Sequence, residues 1–456
     1  MPTRAQYDEL ALDHLATDLP YQERMLHWTV DDVVAYFDSA GAVVPDAAEH
    51  TEQMGSRRDG FPHLLCLHSS AGCGSTFRKQ LAPLALEDSY DLDFLDGELE
   101  MDPAVQPEAR MLRVFFPNAP NRSYMRLVEL NVASGEERSV LLATNALAAG
   151  PQGMVTHGGD TSQEAGRREY RNVANALELL ARRIARASLE GGRYDGVVAF
   201  SQGANLLVMA LALLEAAEDA AATQEANAGA MAPGPQKVAA KAAALAASEA
   251  AARRSRLLRP PLALLFSPTD FGWTSQMASP AFAARCLAAL DLGIAVAEAG
   301  LTGRSLPLSS LEAGEEPPGL VGVFGRPLTA GKTLFVLGQK DAAIQLGHVL
   351  ARRFASSACA VVEHSEGHKI PSARDAAVRQ KVVNFLRVGS PEEFIAGGSA
   401  WYRHRRLGWI QVRVTKVDYQ GVADGGVTFC ITAAELDGEV ETVRERLALT
   451  RPAEAM

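Results

Sequence analysis

From Pro62 onward, short apolar runs alternate with stretches of helical character. Six segments carry these runs, and they read HLLCLHSS, YDLDFLD, YDGVVAFSQG, LALLFSPTD, TLFVLGQKD and CAVVEHSEGH. Runs of this kind indicate strands that are buried on both faces of a sheet. Their alternation with helices is typical of a parallel sheet covered by helices on each side. This alternation of strands and helices therefore predicts an α/β fold class for the central part of the chain.

The chain is much longer than one such fold requires. Its 456 residues are roughly three times the length of a typical domain. We predict a helical N-terminal extension at 1–58, a central domain at 60–389 and a small module at 390–456. Between residues 215 and 252 half of the residues are alanine, which favours helix and indicates a surface insertion in the central domain.

The C-terminal module is predicted from short strands of alternating polarity. The segments WIQVRVTKV and GGVTFCITAAEL precede a hairpin turn at Asp437-Gly438, and VETVRERLAL follows it. This pattern resembles SH3-like and Tudor-like β-barrels, which bind peptides, methylated tails or nothing at all. A peptide is the partner that we expect if this barrel has one.

Charge and cysteine usage restrict the partners and the compartment. The formal net charge of −11 opposes binding to nucleic acid and to an anionic membrane surface. No apolar stretch free of charges approaches the roughly 20 residues of a membrane span, so we expect none. Five scattered cysteines without a CxxC pair indicate a reducing compartment and no zinc site. With no signal-peptide pattern at the N-terminus, the expected location is cytoplasmic.

The segment around Ser201 is the most informative one for chemistry. A buried strand ends at Phe200, and Ser201-Gln202-Gly203 leads directly into a helix. This arrangement fits a nucleophile elbow, in which a tight strand-to-helix turn pushes the serine hydroxyl out of the sheet. The elbow needs small residues two positions before and after the serine, and Ala199 and Gly203 satisfy that need. Ser201 is therefore the predicted nucleophile, although alone it fits a helix N-cap as well.

A serine nucleophile needs a base to take its proton and an acid to orient that base. In this type of site both follow the serine along the chain, at the ends of later strands. Asp341 closes the strand TLFVLGQKD and His368 follows the strand CAVVEHSEGH. We prefer His368 as the base to His364 and His348, because it lies in the loop after the strand.

Two backbone amides are predicted to bind the negative oxygen of a tetrahedral intermediate. Gln202 supplies one N–H group at the positive end of the helix that follows the nucleophile. The loop after the first strand supplies the other, and we choose Ser70 for it. The sequence alone does not separate Ser69 from Ser70, because a backbone amide puts little constraint on the side chain.

Together these residues resemble the FSH-type serine hydrolases of the α/β-hydrolase superfamily. The matching pieces are Leu65-Cys-Leu-His68, Phe94-Leu-Asp96, Tyr194-Asp-Gly-Val with Phe200-Ser-Gln-Gly-Ala, Gly338-Gln-Lys-Asp341 and Glu363-His-Ser-Glu-Gly-His368. The resemblance implies an α/β-hydrolase fold, with Ser201, Asp341 and His368 as a catalytic triad. It also implies hydrolysis of carboxylic esters or thioesters through an acyl-enzyme. We expect no cofactor and no metal.

The expected substrate is therefore a small-molecule acyl ester or thioester. The alternative is a non-catalytic hydrolase-like scaffold that binds a peptide through the C-terminal barrel. A scaffold has no need of Ser201, Asp341 and His368 together, so the enzyme is the favoured hypothesis. Ser69 in the first loop and Ala199 before the nucleophile depart from the family's usual glycines.

Overall fold

The structure covers the centre of the chain most fully. The computed structural model describes residues 61–103, 106, 109, 112–113, 115–130, 137–139, 167–270, 272–302, 323–324, 326–329, 331–372, 375–388, 399–404, 408–418, 428–434, 436, 440–443 and 447–448. The predicted N-terminal extension at 1–58 and the predicted turn at Asp437-Gly438 lie outside the described residues. The chain divides into two compact units, Met1–Ser372 and Ala373–Met456.

A six-stranded parallel sheet forms the centre of the first unit. Its strands are β1 (His63–Leu67), β2 (Asp91–Leu95), β8 (Gly196–Phe200), β9 (Leu262–Phe266), β10 (Lys332–Gly338) and β11 (Cys359–His364). They lie in the order β11-β10-β9-β8-β1-β2, and every neighbouring pair is parallel. All six apolar runs of the sequence form these strands. The α/β class is confirmed, and the carboxyl ends of the strands meet at one edge of the sheet.

Amphipathic and apolar helices follow the strands. In order they are α1 (Gly74–Leu81), α2 (Val173–Leu189), α3 (Gln202–Ala230), α4 (Pro235–Leu258), α5 (Trp273–Met277), α6 (Pro280–Thr302) and α7 (Ile344–Ala351). The first turns of α3 are buried on all sides, because this helix lies inside the core next to β8. The alanine-rich stretch forms the end of α3 and most of α4, and the chain leaves helix between Met231 and Gly234.

Short strands between β2 and β8 form two small antiparallel sheets that the sequence does not predict. One is a hairpin of β3 (Leu99–Glu100) and β4 (Arg122–Ser123). The other has the order β6-β5-β7 and consists of β5 (Arg126–Leu130), β6 (Glu137–Ser139) and β7 (Arg167–Arg171). These segments are polar, so no apolar run marks them. We call the stretch from 97 to 172, which is separate from the alanine-rich stretch at 215–252, the insertion.

One helix corrects the expectation about apolar length. The segment Pro280–Leu301 of α6 is long and apolar enough to cross a membrane, and its most apolar 18 residues have a mean hydropathy of 1.6. Half of those 18 residues are buried within the protein. Ala283, Leu287, Leu290 and Ile294 recur at helical spacing and join the main hydrophobic core. The apolar composition of α6 is explained by the packing of this face in the hydrophobic core.

The second unit begins with α8 (Ala376–Val388) and continues with an antiparallel sheet. The strands are β12 (Ser399–His404), β13 (Gly408–Asp418), β14 (Thr428–Thr432), β15 (Val440–Val443) and β16 (Leu447–Ala448), in the order β15-β14-β13-β12-β16. A small core of Tyr402, Val412 and Ile431 lies on this sheet. Among the described strands β15 and β16 occupy the two edges. Closure of the sheet into an SH3-like or Tudor-like barrel therefore stays a prediction.

Candidate active site

Ser201 occupies the sharp turn between β8 and α3. Its backbone has φ 52° and ψ −111°, a conformation that residues with a side chain rarely adopt. The N–H group of Ser201 donates to the carbonyl of Phe266 in β9 at 2.8 Å, which ties the turn to the neighbouring strand. A Cβ atom on Gly203 would lie 2.6 Å from the carbonyl oxygen of Leu67. Only glycine allows α3 to approach β1 this closely.

The structure brings Ser201, His368 and Asp341 into one hydrogen-bonded line. The Ser201 hydroxyl lies 2.9 Å from His368 Nε2, where it can donate its proton to the ring. On the other side of the ring, His368 Nδ1 lies 2.7 Å from Asp341 Oδ2. Donation from Nδ1–H to the carboxylate fixes the tautomer in which Nε2 is an acceptor. This is the geometry that base-assisted attack by a serine hydroxyl requires.

Asp341 is held as a carboxylate. It is 8% exposed, and burial alone opposes its ionisation. Its hydrogen bond with His368 and the N–H group of Ala343, which donates to Oδ1 at 2.8 Å, outweigh that effect. The net result is a pKa of Asp341 below its usual value. The Asp341 carboxylate therefore stays charged next to the His368 imidazole when that ring accepts a proton.

The loops that carry Asp341 and His368 are bound directly to each other. Lys340 N donates to the carbonyl of Glu366 at 2.9 Å, and Gln339 N donates to that of His364 at 2.8 Å. A Cβ atom on Gly338 would lie 2.0 Å from the carbonyl oxygen of Gly367. The missing side chain thus lets the two loops touch, which sets the position of His368 relative to Asp341.

The competing histidines lie elsewhere. His364 is the last residue of β11 and is 2% exposed. His348 in α7 pairs with Glu363, with 3.0 Å between Nε2 and Oε1. Neither takes part in the hydrogen bonds that join Ser201 to Asp341.

The loop after β1 is built on a buried, neutral histidine. His68 Nδ1–H donates to the carbonyl of Ser69 at 2.6 Å, and its Nε2 accepts the N–H of Gly97 at 3.0 Å. Burial lowers the pKa of His68, and this pair of bonds requires the neutral ring. The carbonyl of His68 accepts the N–H of Gly203 at 3.1 Å, so the loop and the start of α3 are joined.

Sequence comparison assigns the chain to a family. A family model described as Serine hydrolase (FSH1) matches residues 60–380, which is well over half of the chain. The chain belongs to this serine hydrolase family. The parallel sheet, the serine turn and the order Ser, Asp, His are those of the α/β-hydrolase fold that the sequence resemblance implied. Comparison with curated proteins gives no significant match.

Solved structures of low sequence identity are similar to this hydrolase. YahD with malic acid is 12% identical, with 72% of this chain and 96% of that chain covered and a TM-score of 0.32. The Bacillus cereus carboxylesterase is 11% identical, with 73% and 90% covered and a TM-score of 0.30. Carboxylesterase CesB (YbfK) from Bacillus subtilis is 11% identical, with 79% and 98% covered and a TM-score of 0.29.

The two predicted oxyanion residues of the hydrolase both contact Ser123. Gln202 is the first residue of α3, where an N–H group has no acceptor within the helix. Ser70 lies in the loop after β1, and its hydroxyl is 3.5 Å from that of Ser123. The Gln202 side chain contacts the same Ser123. This part of the site is not predictable from the sequence, because the segment around Ser123 carries no motif.

Proposed function

We propose that this serine hydrolase cleaves carboxylic esters or thioesters through an acyl-enzyme on Ser201. The hydrogen-bonded line from Ser201 through His368 to the buried carboxylate of Asp341 is the observation that carries this proposal. Family membership supports hydrolysis by a serine, and the geometry supports the residues that perform it. The alternative of a non-catalytic scaffold with a peptide-binding barrel gains no support from these contacts.

The proposed reaction begins with attack of Ser201 Oγ on the acyl carbonyl carbon. His368 Nε2 takes the hydroxyl proton, and Asp341 stabilises the imidazolium that results. The amides of Gln202 and Ser70 donate to the oxyanion. His368 then returns its proton to the leaving alkoxide or thiolate as the carbon–oxygen or carbon–sulfur bond breaks. Water, deprotonated by the same ring, attacks the acyl-enzyme. His368 then returns this proton to Ser201 Oγ as the bond to the acyl carbon breaks and the acid is released.

A panel of esters tests this proposal. We expect wild-type protein to hydrolyse p-nitrophenyl esters and acyl thioesters of graded chain length, with a preference for one range. Ser201→Ala removes only the nucleophilic oxygen and should lower kcat by several orders of magnitude. Equal turnover by the wild type and Ser201→Ala contradicts the proposed role of Ser201. A wild type that is inactive on the whole panel contradicts the ester and thioester class.

A further inference from the structure

The side chain of Gln202 is buried and hydrogen-bonded to the insertion. Its exposure is 5%, and both of its polar atoms bind residues of that stretch. Oε1 accepts the N–H groups of Tyr124 and Met125 at 2.8 and 3.1 Å, and Nε2 donates to the carbonyl of Met125 at 2.8 Å. The amide that precedes this side chain is the proposed oxyanion donor. The hydrogen bonds that hold the Gln202 side chain therefore also hold the first residue of α3 in place.

The bonded residues form a short stretch, Arg122–Met125, that we call the anchor segment. Ser123 Oγ lies 2.8 Å from both Gln202 Oε1 and the carbonyl of Met125, and Ser123 is fully buried. The ring hydroxyl of Tyr124 accepts the N–H of His68 at 3.2 Å. Because its polar groups are buried, the anchor segment has a defined position only while these hydrogen bonds are made.

The anchor segment also holds the other oxyanion residue. Arg122 N donates to the carbonyl of Gly72 at 2.8 Å, and the hydroxyls of Ser70 and Ser123 are 3.5 Å apart. Ser70 and Gly72 belong to the loop after β1, and Gln202 belongs to α3. One segment of the insertion is therefore bonded to both sides of the oxyanion site.

We propose that Gln202 acts through its side chain as a positioning residue, which sets the spacing of the two oxyanion donors by binding the anchor segment. This role rests on the proposed function, because it concerns the same acyl transfer. Misplacement of a catalytic group by about 1 Å lowers rates by about 100-fold. Loss of the Gln202 side-chain bonds is expected to act on the transition state more than on substrate binding.

Gln276 offers a matched control. It is also a buried glutamine, 7% exposed, and it also binds the insertion. Its Oε1 accepts the N–H of Tyr170 in β7 and its Nε2 donates to the carbonyl of the same residue, both at 2.9 Å. Gln276 lies in α5 and is bonded to neither oxyanion residue in the described structure. A comparison of variants at the two glutamines therefore distinguishes the effect of anchoring the insertion from the effect of positioning the oxyanion donors.

The test compares Gln202→Met with Gln276→Met, each a change to an unbranched side chain without hydrogen bonds. We expect Gln202→Met to lower kcat by about 10- to 100-fold with KM within about threefold. Its affinity for a trifluoromethyl ketone, which forms a tetrahedral adduct on Ser201, should fall by the same factor as kcat/KM. Gln276→Met should keep kcat and this affinity within about threefold of the wild type.

Two results overturn the positioning role while leaving the esterase proposal intact. One is an active wild type with an unchanged kcat in Gln202→Met. The other is an equal loss in both variants, which assigns the effect to the insertion as a whole. A wild type without hydrolase activity contradicts the proposed function, and the positioning role falls with it.

Ser123→Ala serves if Gln202→Met does not fold, because it removes a single hydroxyl of the network. It should lower kcat and the affinity for the trifluoromethyl ketone together, by about three- to tenfold. A kcat and an affinity both equal to those of the wild type contradict the positioning role.

Discussion

At the scale of single residues, the site depends on a strained serine and a charged, buried aspartate. Ser201 keeps φ 52° because its neighbours are fixed in β8 and α3 and its amide is bonded to β9. Conformations of this kind raise the free energy by about 1–3 kcal/mol and persist only where the surrounding fold imposes them. Asp341 in turn stays ionised because its hydrogen bonds outweigh its burial.

Asp341→Asn tests the role of that charge. The amide keeps the shape of the side chain but stabilises neither the correct tautomer nor the imidazolium, so kcat should fall by about 10³- to 10⁴-fold. Ester hydrolysis by the two proteins at pH 8 gives this ratio. A decrease smaller than tenfold contradicts the assignment of Asp341 as the orienting acid.

The lowered pKa of Asp341 also fixes a pH dependence of stability. A carboxylate whose pKa is lower in the folded state stabilises the fold above the unfolded pKa of about 3.9. This contribution is lost as the pH falls through the folded pKa. The difference in free energy of unfolding between the wild type and Asp341→Asn should therefore shrink below about pH 4. Urea unfolding of both proteins measures it, and a difference that grows in acid contradicts the direction of the shift.

The sequence indicated that Ser201, Asp341 and His368 would lie together, but it did not indicate the contacts that support them. Ser201, Asp341 and His368 each follow an apolar run, and parallel strands bring the residues after them to one edge of a sheet. The contacts of Gln202 were not predictable in this way. Its partners Ser123 and Met125 lie at the end of β4 and in the short link from β4 to β5, whose position depends on tertiary hydrogen bonds rather than on any local pattern.

At the scale of elements, the close approach of two loops determines where His368 lies relative to Asp341. Gly338 ends β10, and the carbonyl of Gly367 occupies the place where a side chain would stand. His368 follows Gly367 directly and Asp341 lies three residues after Gly338. A separation of these loops therefore changes the distance between the acid and the imidazole.

Gly338→Ala is expected to disturb both stability and catalysis. The added methyl group forces the backbones apart and should lower the free energy of unfolding by about 1–3 kcal/mol. It should also lower kcat at least tenfold, because the hydrogen bond between His368 and Asp341 lengthens. Gly229→Ala in α3 is the control, since a Cβ atom there meets nothing within 4 Å. Wild-type kcat in Gly338→Ala contradicts the importance of this contact.

The elements that the sequence missed share a physical reason. The strands of the insertion are short and polar, with segments such as RLVEL, ERS and RREYR. Their pairing is set by partners distant in the chain, and no periodicity of apolar residues marks it. The central strands were predictable because both of their faces are buried. The apolar length of α6 was also underestimated from the sequence. A few charged residues divide its alanine-rich segment into shorter apolar runs, although the helix packs in the core.

At the scale of the whole molecule, the proposed chemistry lies within the first unit. The family match covers residues 60–380 and ends within α8, and the antiparallel sheet of the second unit lies beyond it. Ser201, Asp341, His368, Gln202 and Ser70 all precede residue 373, where the second unit begins. The predicted division into an extension at 1–58, a domain at 60–389 and a module at 390–456 stays a prediction, as does any peptide partner of that module.

Covalent labelling of the full-length protein tests the nucleophile most directly. A fluorophosphonate reacts with a serine only where a base activates the hydroxyl, so the wild type should gain the mass of one adduct. Peptide mapping should locate this adduct on Ser201. Ser201→Ala, shown to be folded by an unchanged thermal unfolding curve, should gain none. Labelling of Ser201→Ala to the wild-type extent, or an adduct on another residue of the wild type, would contradict the account.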